Sequence, residues 1–200
     1  MSRQGFSQGL PRSQTPKDKS ATSQAFTMFR PVSYESACEI FDSLREVKAE
    51  GLLPDHAELR PPEDMRVTYV ERRKLTKQLQ GLSEGFNAAR AIHEINEDCE
   101  RSDSGLVVSL GRVSLMNNRQ ESAVAHLEHD QTVASEYEVI KDALTRLKVK
   151  GMHKGKFRPH VGLVRVPGAT LNEKTFLERE LSHVIPNEVA LRPLTTFPKK

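Results

Sequence analysis

Two short segments of the chain combine groups that bind phosphate with a group that moves protons. In MRVTYV, Arg66 and Thr68 stand two apart; in RPHVGLV, Arg158, His160 and Gly162 follow the same spacing. Side chains alternate along a β-strand, so each set shares a face if its segment is a strand. His160 titrates near neutral pH and can act as general base or general acid. Arg66 stays protonated across physiological pH and cannot be a base. Its guanidinium can hold phosphate oxygens bidentately and stabilise developing negative charge. Thr68 offers a hydroxyl, and Gly162 lets a ligand approach the backbone closely. A proton-moving imidazole would thus stand beside an anion-binding guanidinium, a hydroxyl and a bare backbone, provided that both strands face one cleft.

A basic run leads into the second segment. From Arg146 to Arg158 the charged residues are Arg146, Lys148, Lys150, Lys154, Lys156 and Arg158, with no acid among them. Such a run is either a solvated loop or a phosphate-facing patch. On the second reading Arg158, Lys156, Lys154 and His153, together with Gly162, form the phosphate- or nucleic-acid-binding set. His153 is also the leading candidate for a second imidazole, because its loop can swing towards the site. His126 and His129 are three apart at a strand end, a spacing that does not turn both into one site. His56 falls in a loop, and His93 and His183 fall on helical segments. His126, His129 and Asp130 lack a third ligand at a recognisable spacing, so no metal is expected. No phosphate loop, dinucleotide fingerprint or nucleophile motif occurs, and no cofactor is expected.

The elements that must position these groups are legible as patterns. Residues 25–32 read as a short strand broken at Pro31. Ser33 caps a helix to about Glu50, with Ala37, Ile40, Phe41, Leu44 and Val47 at helical spacing. A proline-bearing loop over 52–64 precedes a strand at 65–71, and a helical pattern runs from Arg72 to about Asp98. LVVSLGRVSLM is a strand with a bend at Gly111, joined through Asn117-Asn118 to AVAHLEH. A helix over 131–148, the strand FRPHVGLVRV, a helix from Asn172 to about Val184 and a closing strand EVALRPLTTF complete the chain. Helices mixed with antiparallel hairpins predict an α+β fold.

Composition sets the frame. The chain has 200 residues, 36% hydrophobic and 28% charged, enough for one domain with its own core. Its net charge of +3 resides in the first 25 residues, where Arg3, Arg12, Lys17 and Lys19 face only Asp18. Residues 1–24 read as a disordered basic tail, a candidate contact for a protein or nucleic-acid partner, and 25–200 as a single domain. No apolar run approaches a membrane span, and the N-terminus lacks the apolar stretch of a signal peptide. Cys38 and Cys99 form no disulfide framework. An intracellular, cytoplasmic protein is expected.

PPEDMRVTYV and KFRPHVGLVRVP resemble the two signature segments of the two-histidine phosphoesterase superfamily, which includes the 2′-5′ RNA ligase-like proteins. That family places a strand with His, any residue, then Thr or Ser in each of two lobes. The resemblance spans about residues 26–198 and implies a two-lobed fold, antiparallel sheets around a central cleft with helices outside. It implies a ligand that is an RNA or nucleotide phosphodiester: an RNA end, a 2′,3′-cyclic phosphate or a 2′,5′-linked nucleotide. The departures bear on mechanism. Arg66 stands where the first motif has His, and Gly162 where the second has its hydroxyl, so the resemblance implies His160, Arg66 and Thr68 as the catalytic set. Losing one acid–base partner costs about 10²–10⁴-fold in rate. Two outcomes stay open, a phosphodiesterase of altered activity and a non-catalytic binding or adaptor protein.

Overall fold

The computed structural model describes residues 25–74, 106–116, 119, 121–128, 131–146 and 157–199. Strand β1 (Ala25–Pro31) runs into Ser33, whose side chain accepts from the Ser36 N–H and caps helix α1 (Tyr34–Ala49). The apolar spacing of α1 buries Ala37, Ile40, Leu44 and Val47. Gly51, at φ +74°, turns the chain out of the helix. The loop that follows holds a two-residue strand, β2 (Glu58–Leu59), and one 3-10 turn (Pro62–Asp64) before β3 (Arg66–Lys74). The helical pattern expected from Arg72 starts instead as strand. Arg73 and Lys74 pair with Phe26 and Ala25, and this backbone ladder overrides the apolar periodicity. The remainder of that expected helix lies outside the described residues.

Strands β4 (Leu106–Met116) and β5 (Ser122–Glu128) form a hairpin whose register shifts between Leu110 and Val113, around Gly111. Helix α2 (Gln131–Arg146), strand β6 (His160–Arg165) and helix α3 (Leu171–Val184) follow. Thr170 and Glu173 close a capping box at the start of α3. The closing segment is two strands rather than one. Pro193 interrupts it, leaving β7 (Glu188–Leu191) on β4 and β8 (Thr195–Lys199) on β1, at opposite edges of the sheet.

All pairings are antiparallel, in the order β7-β4-β5-β6-β3-β1-β8, with β2 added along β6. The two halves of this sheet meet at one residue pair, Val67 with Val161. Val113, Ala125, Val161, Val67 and Arg30 lie along one row across five strands, and each is 3% exposed or less. That row marks the core face. Beyond β1 and β3, on this face, α2 supplies Glu136, which accepts from Arg30 Nε at 2.9 Å and from the Tyr69 hydroxyl at 2.6 Å. Burial opposes the Arg30 charge, but Glu136 outweighs it and holds Arg30 protonated. Phe157 stacks between Tyr69 and Tyr137. Because side chains alternate, the residues flanking the buried row belong to the other face.

Candidate phosphate-binding face

Strand register decides which groups meet. With Val67 opposite Val161 on the core face, Arg66 and Thr68 lie on the reverse, as do His160 and Gly162. Continuing that register sets Arg66 opposite Gly162 and Thr68 opposite His160, on either side of the one paired position. The four residues read from the sequence therefore share one face of adjacent strands. Arg66 leans across β1, its guanidinium carbon 4.7 Å from the centre of the Phe29 ring, so cation–π attraction sets its direction. Phe29 is itself paired with Thr68. Tyr69 and Arg165 point to the opposite face, Tyr69 into the Glu136 network and Arg165 towards Glu58 and Glu121.

His160 is fixed by its own chain. Its Nδ1 lies 2.9 Å from the Arg158 carbonyl, which can only accept, so Nδ1 donates and Nε2 is the ring nitrogen left to meet a ligand. Arg158 is exposed at the start of β6. Lys154, Lys156 and His153 lie outside the described residues.

The second imidazole on this face is His126. It pairs directly with His160 across β5 and β6, the ring centroids 6.3 Å apart and edge-on, and its Nε2 is hydrogen-bonded to Ser114 Oγ at 2.6 Å. Burial, and then the charges of His160, Arg112 and Arg158, lower its pKa below the ordinary imidazole value. His126 is thus neutral at neutral pH. In-strand spacing sets His126 aside; the cross-strand register brings it in, and periodicity within one segment carries no signal of that.

Arg60 is the other group that nothing in the sequence singles out. Its side chain occupies the space above Gly162, where a Cβ would fall 2.7 Å from Arg60 Nε and 3.0 Å from its guanidinium carbon. A guanidinium from the loop after β2 thus takes the space that a side chain at 162 would fill. Arg60, Arg66, Arg112 and Arg158 meet no carboxylate at ion-pairing distance among the described residues. The face therefore presents unneutralised cations beside two imidazoles, and the cations suit an anion with several oxygens. Among the described residues no cluster of His, Cys, Asp or Glu could hold a metal ion.

No protein-family model and no curated protein matches the sequence. Solved structures match its shape. A phosphoesterase crystal structure superposes with a TM-score of 0.56 at 11% identity, covering 89% of this chain and 89% of that one. LigT of E. coli complexed with 3′-AMP gives 0.53 at 11% identity, covering 88% of each chain. Usb1 of Kluyveromyces marxianus with uridine monophosphate gives 0.51 at 9% identity, covering 88% of this chain and 92% of that one. With the antiparallel α+β sheet already described, these likenesses fix the architecture: the chain shares the fold of LigT and Usb1.

Proposed function

We propose that this chain binds the phosphate of a nucleotide or an RNA end on the face formed by β5, β6 and β3. The observation that carries this reading is the placement of Arg66, Arg60 and His160 around one point of the sheet without a neutralising acid. Two guanidiniums supply charge-assisted donors, Thr68 a hydroxyl, and His160 a further contact through Nε2. The nucleotides found in the LigT and Usb1 structures support the same ligand class for this chain.

A second reading, hydrolysis of a 2′,3′-cyclic or 2′,5′-linked phosphodiester, is favoured by the His126–His160 pairing. Neutral His126 would accept a proton and His160 would deliver one, with Arg66 and Arg60 stabilising the charge that develops on phosphorus oxygens. The test is a panel of 2′,3′-cyclic nucleotides and 2′,5′-linked oligonucleotides, followed for both binding and product release, with His160→Ala alongside. Binding without turnover supports the first reading. Turnover that disappears in the variant supports the second. Absence of both removes the phosphate site and leaves the fold.

A further inference from the structure

Resting on that phosphate-binding reading, we propose that Arg60 adapts this face to a terminal phosphomonoester, a nucleoside or RNA end bearing a 2′- or 3′-phosphate, in preference to a phosphodiester. Arg60 is anchored at both ends, to β6 by its backbone and to the 3-10 turn by its side chain. Its backbone N–H donates to the Leu163 carbonyl at 2.8 Å, and its Nη1 donates to the Asp64 carbonyl at 3.3 Å. Between these anchors the guanidinium crosses the bare backbone of Gly162. Any side chain at 162 would need that volume, so the glycine and the arginine are two halves of one arrangement.

What the arrangement changes is charge and donor count. A serine or threonine hydroxyl at 162 would give one neutral donor. Arg60 gives a planar fork of donors and a full positive charge. Arg66, in register with Gly162, brings a second guanidinium that leans to the Phe29 side. Two cations thus lie on the same face, Arg60 over β6 and Arg66 on β3. A phosphomonoester at neutral pH carries about −1.5 to −2 charges and three terminal oxygens, which two guanidinium forks can engage together. A cyclic or 2′,5′-linked diester carries a single charge and only two non-bridging oxygens, leaving part of one fork without a partner. The added ligand charge beside two cations translates into an affinity ratio of about tenfold.

The test is calorimetric titration of the full chain with uridine 3′-monophosphate and, separately, uridine 2′,3′-cyclic monophosphate at neutral pH. The monophosphate is expected to bind about tenfold more tightly. Arg60→Met is expected to abolish this preference. Gly162→Ala adds a Cβ that displaces only the flexible end of Arg60; it is expected to reduce the preference, and to have no effect in the Arg60→Met background. Equal affinities in the unaltered chain, or a preference that survives Arg60→Met, would overturn the proposal while leaving phosphate binding in place. If neither nucleotide binds, the phosphate-binding reading fails with it. The two variants act on Arg60 by different routes, so loss of fold in one leaves the other decisive.

Discussion

His126 and His160 stand opposite one another on neighbouring strands, their ring centroids 6.3 Å apart and each ring held by its own hydrogen bond. The imidazole pair is therefore drawn from β5 and β6. The β3 position facing them holds Thr68, and two residues away on the same face Arg66 adds a cation that cannot exchange its proton. One half of the face can move protons and the other can hold anions.

That relationship has a pH consequence. The folded pKa of His126 lies below its unfolded value of 6.5, so the unfolded chain binds the proton more readily. The contribution of neutral His126 to stability is present at pH 7 and is lost as pH falls below about 6.5. His126→Gln is expected to flatten the pH dependence of the melting temperature on the acid side of neutrality. An unchanged slope would mean that His126 titrates normally.

Binding of an anion should reverse the same shift. Phosphate between the rings favours the charged imidazole, so the His126 pKa, followed by NMR, is expected to rise on addition of a nucleoside monophosphate. A fixed pKa under saturating ligand would place the ligand elsewhere.

Arg66→Ala removes one phosphate contact. Affinity for a single-stranded RNA oligonucleotide is expected to fall about tenfold, and the slope of log affinity against log salt to decrease by about 0.7. Equal slopes for the two proteins would remove Arg66 from the phosphate contacts.

The buried Arg30–Glu136–Tyr69 network supports the face from behind. Glu136→Ala leaves a guanidinium buried without its counter-ion and is expected to cost about 3–5 kcal/mol in urea unfolding. Tyr69→Phe removes one charge-assisted hydrogen bond and is expected to cost about 1–3 kcal/mol. Substitutions of similar and small effect would show that Arg30 finds water once Glu136 is gone.

Much of this architecture is written in local pattern. Ser33 and the Ala37, Ile40, Leu44, Val47 stripe predict α1 within a residue of its ends, and the FRPHVGLVRV and AVAHLEH segments predict strands that contain most of β6 and β5. The shared face of Arg66 and His160 follows from strand alternation once β3 and β6 are neighbours. What local pattern does not carry is register between strands distant in sequence. His126 meets His160 only because β5 pairs with β6, and Arg60 reaches Gly162 only because its loop hydrogen-bonds to Leu163. The split of the last segment turns on Pro193, whose missing N–H separates strands that a continuous apolar pattern joins. The strand character of Arg72–Lys74 likewise comes from pairing with β1 rather than from its own periodicity.

The most direct test follows the side-chain nitrogens of every histidine while uridine 3′-monophosphate is titrated into the full chain. Binding on the β5–β6–β3 face predicts saturable shifts at His126 and His160, and a weaker titration in Arg66→Ala. Unmoved resonances at both, or shifts confined to His56 and His183, would contradict it.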